Sequence, residues 1–317
     1  MAGKVDLIII GAGPAGLTAA QYGARAGLNV LVIEQLASGG QALVIDKLEN
    51  YPGNIAAEVK SGYELMTDFH RQAETFGAKF LSGSVCSLKK ENGVFIVTLA
   101  DNAVYTAASV IIAAGAKPRQ LGIPGEKEFS GRGVSYCATC DGNFFKNKKI
   151  IAAGGGDAAC DEAQYLSRLT DRVILVHRRE SFRAQKALAQ RTLNNPNIEV
   201  RLNTVIKEIT GDQESLSGKV KSVILNDLKT GKIYEEETDA VFIFAGTVPQ
   251  SSLVKEADLN VRFDDEGYII TDQKMAAGEP GLFAAGDVRS GAFRQVVTAA
   301  ADGAVAAHNA AEYINAL

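Results

Sequence analysis

Cysteine and histidine are scarce in this chain, four and three among 317 residues. So few cysteines exclude a disulfide-stapled secreted scaffold. Cys86 and Cys160 are isolated in sequence, and each is expected to be a small buried apolar residue. His70, His177 and His308 are scattered. Long apolar runs are missing too: nothing approaches the ~20 residues that cross a bilayer. The apolar run near the N-terminus stops in a glycine cluster, too short for a secretory signal. A cytoplasmic location is expected. No sign of charge dominates, since 33 Lys and Arg are interspersed with 37 Asp and Glu for a net −4. That leaves no basic field for nucleic acid and no polybasic membrane patch. What is present is 46% hydrophobic and 22% charged sequence, long enough for two domains with separate cores.

The apolar run VDLIII (residues 5–10) fits a buried parallel strand. It flows into Gly11-x-Gly13-x-x-Gly16, with Pro14 and Ala15 inside the turn, then into the helical segment LTAAQYGARAG. A second strand, NVLVIE, ends at Glu34. Strand, glycine turn, helix, strand and terminal acid together form a dinucleotide-binding fingerprint. Gly11 permits the tight turn, Gly13 lets the backbone approach a pyrophosphate, and Gly16 allows close helix packing. The helix start supplies N–H groups and partial positive charge. Glu34 can accept hydrogen bonds from an adenosine ribose, which suits a dinucleotide without a 2′-phosphate, such as FAD.

The pattern repeats. KKIIAAGGGDAACDEAQYLSRL carries a strand into Gly154-x-Gly156-x-x-Ala159, with Asp157 and Ala158 at the start of the next helix. The following strand, RVILV, ends in HRRESFRA. His177, Arg178 and Arg179 fall where the first unit has Glu34, with Arg183 a turn later. Guanidinium groups there would bind a 2′-phosphate that a carboxylate would repel. The second nucleotide is therefore expected to be NADPH; the plainer alternative is an exposed basic loop after a strand. VIIAAGAKPR (110–119) and VFIFAGTVPQ (241–250) both run from an apolar strand into glycine and then proline. Read as two crossovers, they make the second unit an insertion within the first. The expected fold is α/β: two Rossmann-like domains, each a parallel sheet with helices on its faces. Residues 1–116 and 247–317 would form the FAD-binding domain and 117–246 the NADPH-binding domain. GLFAAGDV would deliver Asp287 to a strand end where ligands sit, and TAAADGAVAAHNAAEYI reads as an alanine-rich helix packing nearby.

VSYCATCDGNFF places Cys137 and Cys140 two residues apart. A structural zinc site normally takes four ligands, and only one Cys pair is present, with no metal expected. A structural staple across so short a loop gains little closure entropy. A redox pair fits two nucleotide sites, because hydride passes from nicotinamide to flavin and reduced flavin passes two electrons to a disulfide. Asp141, directly after Cys140, disfavours a thiolate, so its useful role is proton donor or acceptor. An N-cap for the next segment is the alternative.

In combination, GAGPAG, GGQ (39–41), ENYPG (49–53), GRGVSYCATCDG, GGGDAACDEAQYL, HRRESFRA, AAGDV and FRQVVTAAADGAVAA resemble the low-molecular-weight bacterial-type thioredoxin reductases over nearly the whole chain. The resemblance implies a homodimeric flavoenzyme carrying electrons from NADPH through FAD and the 137–140 disulfide to thioredoxin. It implies that Cys140 faces the flavin, that Cys137 attacks the partner disulfide, and that Asp141 is the acid/base. Gly39, Gly40, Gln41, Asn50, Asp287, Arg294 and Gln295 would contact FAD, and Arg132 would help to dock thioredoxin. Ala301, where the family often has glycine, and Cys160, in place of a common valine, are the departures. The resemblance also suggests that the NADPH domain rotates about crossovers near Gly115–Pro118 and Gly246–Pro249, so that nicotinamide and disulfide reach the flavin in turn. Two alternatives stand beside this. One is a reductase of the same architecture serving another redoxin or a peroxiredoxin. The other is a non-catalytic dinucleotide sensor with the cysteines as a switch.

Overall fold

The computed structural model describes residues 3–45, 48, 50–54, 59–212 and 218–317. It forms two compact units, one built from the chain up to Lys117 together with Val248–Leu317, the other from Pro118–Thr247. In chain order the first unit supplies β1 (Gly3–Ile10), α1 (Pro14–Arg25), β2 (Val30–Glu34), α2 (Gly62–Thr75), β3 (Lys79–Ser82), β4 (Val85–Glu91), β5 (Val94–Leu99) and β6 (Val104–Ile112). A connecting strand, β7 (Ala116–Pro118), leads to the second unit. That unit supplies β8 (Val134–Ser135), α3 (Ala138–Asp141), β9 (Ile150–Gly154), α4 (Asp157–Leu166), β10 (Val173–His177), α5 (Lys186–Leu193) and β11 (Ile198–Leu202). It continues through β12 (Thr204–Gly211), β13 (Val220–Asp227), β14 (Ile233–Glu237) and β15 (Ala240–Phe244). The chain returns by β16 (Thr247–Pro249), then adds α6 (Ser252–Lys255), β17 (Leu282–Ala284) and α7 (Val296–Asn315).

In the first unit seven strands make one sheet in the order β3-β2-β1-β6-β5-β4, with β17 also pairing β6. β1 lies between β2 and β6, parallel to both, so it is buried on two faces and reads as continuous apolar sequence. Leu7 and Ile9 face α1 and α7, while Ile8 and Ile10 join Leu88, Phe95 and Val97 on the opposite side. The N-terminal half of β6 pairs antiparallel with β5, and its C-terminal half pairs parallel with β17. β17 in turn delivers the Gly286–Val288 turn to the sheet's carboxyl end. α7 can press onto α1 because Gly303 has no side chain: a Cβ there would stand 2.1 Å from the Ala15 carbonyl oxygen.

The second unit repeats the scheme with five strands in the order β11-β10-β9-β15-β8. Ile150 and Ala152 pack toward α4, and Ile151 and Ala153 pack toward a separate antiparallel sheet, β12-β13-β14. The connecting strands β7 and β16 pair with each other, flanked by backbone bonds from Arg119 to Gly246 and from Gln250 to Gly115, both 2.9 Å.

Two isolated cysteines differ from each other. Cys160 is fully buried on α4 as expected, but Cys86 is exposed, contrary to the expectation of a buried residue. The cause is a register shift between Val85 and Ser87 in the β4–β5 pair. The bulge turns Cys86 outward, leaving its Sγ 3.4 Å from the Thr98 carbonyl.

Candidate active site

The first glycine turn opens onto a cleft of about 690 Å³, within the usual range for small-molecule sites. Gly11, Gly13, Pro14, Ala15, Glu34, Gly40, Gln41, Asp287, Arg294 and Gln295 all line it. α1 begins at Pro14 with no side chain capping it, so its first N–H groups remain available. Among the described residues, nothing beyond its own chain neighbours lies within 4 Å of where a Gly13 Cβ would sit. An uncapped helix start beside open space is a cradle for phosphate, and the residues present fit a flavin dinucleotide. Gly16 serves packing instead, since a Cβ there would stand 1.9 Å from the Gly11 carbonyl oxygen. Gly39 is buried and ties its N–H to the Ala12 carbonyl at 2.7 Å.

Glu34 has a local task that the sequence did not reveal. One carboxylate oxygen accepts from the Ala12 N–H at 2.8 Å and the other from the Leu36 N–H at 3.0 Å, which pins the glycine turn. Carboxylate oxygens carry spare lone pairs, so ribose contacts remain open to it. Gln41 donates to the Ala116 carbonyl. Asn50 donates to Gln295 Oε1 at 2.9 Å, joining two segments 245 residues apart. Glu49 of the ENYPG motif lies outside the described residues.

The far wall of the cleft is charged. Burial pushes the Asp287 carboxyl up to about 6, against the pull of Arg294 and with added repulsion from Asp302. Asp302 fixes the turn before it, accepting from the Gly286 N–H at 3.1 Å and from Arg289 at 2.9 Å. Arg294 occupies the left-handed region (φ 58°), uncommon outside glycine, and its guanidinium lies 4.7 Å from the centroid of buried Tyr268. Arg289, Asp302 and Tyr268 carry no local sequence signal; only the fold brings them against Gly286 and Arg294, which line the cleft.

The second glycine turn is built alike. α4 starts at Asp157 without a side-chain cap, and the position a Gly156 Cβ would take is open. Asp157 and Ala158 are exposed, and Asp157 is engaged by Gln185, whose backbone N–H donates to it at 2.7 Å. The Arg183 N–H donates to the Gly155 carbonyl at 2.7 Å, fastening the basic loop to the turn. Arg178, Arg179 and Arg183 are exposed; His177 is not. Its imidazole packs under Gly155, where a Cβ would meet it at 2.2 Å. Burial and then the neighbouring arginines lower its basicity. His177 therefore stands apart from the three guanidiniums, and its Nε2 is buried without a protein partner. An orphaned ring nitrogen at an open, uncapped turn fits a bound nicotinamide dinucleotide.

Cys137 and Cys140 are joined as a disulfide at the start of α3. Cys137 is the N-cap residue, and its Sγ receives the Cys140 N–H at 3.2 Å. Ser135 donates to Asp141 Oδ2 at 2.6 Å and receives the Cys137 N–H at 3.2 Å, so one hydroxyl ties the acid to the cysteine backbone. Asp141 starts the next 3₁₀ turn, but its side chain makes no cap bond there. Glu126, 1% exposed, accepts from the Leu121 and Gly122 N–H groups and from Tyr136 Oη at 2.9 Å. Burial and that bond push the Tyr136 phenol up. Ser135, Glu126 and Glu162, the last accepting from the Ala138 N–H at 2.7 Å, are local supports absent from the sequence expectations; Ser135 alone had a visible signal, two residues before Cys137. Arg132 donates to the Glu128 carbonyl and lies 5.8 Å from the Phe129 ring centroid. Among the described residues no group of three or more His, Cys, Asp or Glu could hold a metal. Among them too, no helix is long and apolar enough to cross a membrane.

With this geometry in place, comparisons with known proteins are consistent among themselves. Residues 5–303 match the model for the pyridine nucleotide-disulphide oxidoreductase family. A thioredoxin reductase of Treponema pallidum (strain Nichols) is 54% identical over 312 residues, 98% of each chain. One from Bacillus subtilis (strain 168) is 43% identical over 312 residues, 98% of this chain and 95% of that one. The crystal structure of thioredoxin reductase from Streptococcus pyogenes MGAS5005 is similar with a TM-score of 0.87 at 41% identity, covering 100% of both chains. A redox disulfide, two dinucleotide turns and full-length similarity thus lead to one conclusion: the chain belongs to the pyridine nucleotide-disulphide oxidoreductase family.

Proposed function

We propose that the protein is an NADPH-dependent thioredoxin reductase. The observation that carries this is the Cys137–Cys140 disulfide seated between β8 and β9 of a unit whose own glycine turn is followed by Arg178, Arg179 and Arg183. Gly154, Gly156, Asp157 and Ala158 would hold the pyrophosphate end of NADPH at the start of α4, and the three arginines its 2′-phosphate. Orphaned His177 Nε2 would take one polar contact. FAD would lie in the first cleft, with its pyrophosphate at Gly11, Gly13, Pro14 and Ala15, its ribose on Glu34, and further contacts to Gly39, Gly40, Gln41, Asn50, Asp287, Arg294 and Gln295. When bound, it accepts the two electrons of a hydride and passes them to a disulfide.

The chain's own residues account for the rest. Opening the disulfide takes two electrons and two protons. Asp141, held by Ser135, moves a proton at Cys140, and Cys137 is left as the outer nucleophile. The Cys137 thiolate attacks a sulfur of the thioredoxin disulfide, and the displaced sulfur leaves as a thiolate and is protonated. Cys140 then attacks Cys137 in the mixed disulfide, which restores the 137–140 bond and releases reduced thioredoxin. Arg132 would dock the partner, and the enzyme would act as a homodimer in the cytoplasm. The disulfide and the NADPH turn belong to one unit and the flavin cleft to the other, so both can serve one flavin only if the units change orientation about β7 and β16. Gly115 (φ +70°) and Gly246 (φ +93°), each with open space around it, are placed to absorb such a change.

Anaerobic NADPH titration of wild type and of a Cys137→Ser/Cys140→Ser variant tests the reading. Both should lose their yellow colour on NADPH, and only the wild type should recover it when oxidised thioredoxin is added. A variant that still reduces thioredoxin refutes the assignment. Turnover on glutaredoxin-like proteins equal to that on thioredoxin would favour the wider-partner alternative.

A further inference from the structure

Glu162 lies on α4, outside both glycine turns, and its carboxylate meets the first turn of α3. Glu162 Oε2 accepts from the Ala138 N–H at 2.7 Å, and the Thr139 N–H also bonds to this carboxylate. The next amide of the turn, that of Cys140, goes to Cys137 Sγ at 3.2 Å. A thiolate at such a position draws its stability from the amides of the turn. Here two of the three serve a carboxylate, so a reduced Cys137 has the Cys140 amide as its donor.

We propose that Glu162 is the positioning residue of the redox turn, holding Cys137-x-x-Cys140 in one conformation through the amides of Ala138 and Thr139. By occupying those donors and placing a negative charge beside them, it also keeps the Cys137 thiol from becoming strongly acidic. This rests on the redox role proposed above for the pair. Acidic groups beside the turn add to the same sign: Asp141 on α3, held by Ser135, and Asp161, which neighbours Glu162 on α4. Burial pushes the Glu162 carboxyl up, the two amides pull it down, and Asp161 adds to the rise. The chemical value follows from exchange kinetics. A thiol whose pKa lies near the working pH is the better attacker, because nucleophilicity falls as acidity grows.

Glu162→Gln keeps an oxygen acceptor at the amides and removes the charge. The test is the pH dependence of alkylation at Cys137 in dithiothreitol-reduced holoenzyme, read by peptide mass spectrometry because Cys86 is also exposed. The Cys137 titration should move down by roughly half to one pH unit in E162Q. It should move less than half as far in Asp161→Asn, which removes a neighbouring charge without touching the amides. An unmoved titration in E162Q, or an equal shift in D161N, overturns the proposal. If E162Q does not fold, amide hydrogen exchange of the wild type decides. Protection of Ala138 and Thr139 in both the oxidised and reduced protein supports the role, and loss of protection on reduction overturns it. Failure of dithiothreitol to expose two new thiols would sink the redox reading itself, whereas an unshifted titration sinks only the role of Glu162.

Discussion

At Asp287 folding and cofactor binding pull in opposite directions. An ordinary aspartate ionises near 3.8, and here burial raises it to about 6. A raised folded-state value means that the ionised form costs stability. The cost is absent below the ordinary range, grows as pH rises between 3.8 and 6, and is complete above 6. At about 1.4 kcal/mol per unit, the flavin-free protein loses up to ~3 kcal/mol at neutral pH. Asp287→Asn should therefore raise the melting temperature of flavin-free protein at pH 7.5, with the gain shrinking toward pH 4, while weakening FAD binding. A lower melting temperature at pH 7.5 contradicts the burial argument. Asp141→Asn should slow disulfide reduction by roughly 10²–10⁴-fold, the usual worth of a positioned proton donor, with flavin reduction by NADPH unchanged in stopped flow. At Arg178 and Arg179, each charge-assisted contact is worth roughly 1.5–3 kcal/mol. The double alanine variant should lose about 10²–10⁴-fold in kcat/KM for NADPH and change little with NADH. Wild-type enzyme that uses NADH equally well would contradict the role given to the arginines.

Among the elements, the α1–α7 contact shows how local rules reach the cleft. Alanine is a better helix former than glycine by about 1 kcal/mol, so Gly303→Ala ought to stabilise α7 in isolation. The new Cβ would sit 2.1 Å from the Ala15 carbonyl, a backbone atom that cannot step aside. Overpacking of this kind costs about 1–3 kcal/mol. The variant should melt at lower temperature and, because Ala15 lines the cleft, bind FAD more weakly; calorimetry on the two forms checks both. Elements were legible in sequence where the determining signal is short-range. Each glycine turn lies within a few residues of the strand and helix it joins. Contacts over long separations were not legible: Asn50 with Gln295, Arg289 with Asp302, and Glu162 with the α3 amides need the folded chain to meet. Nor were the antiparallel β12–β14 sheet and the bulge that exposes Cys86, since both depend on strand pairing rather than composition.

On the scale of the whole molecule, one chain carries two units, and β7 and β16 carry it from one to the other and back. The glycine fingerprint occurs once in each unit, after β1 and after β9. If the units must reorient in every cycle, a covalent tether between them should abolish steady turnover while sparing one half-reaction. Rapid-mixing kinetics on tethered and untethered protein would show this, and full turnover by the tethered enzyme would contradict the rotation. The central claim is the electron route from NADPH through a flavin to Cys137–Cys140. The most direct measurement is an anaerobic titration of the purified holoenzyme followed by its flavin absorbance. The account predicts that NADPH bleaches the band and that oxidised thioredoxin restores it. Protein that takes up no flavin when offered it, or whose bleached flavin is not reoxidised by thioredoxin, would contradict that route.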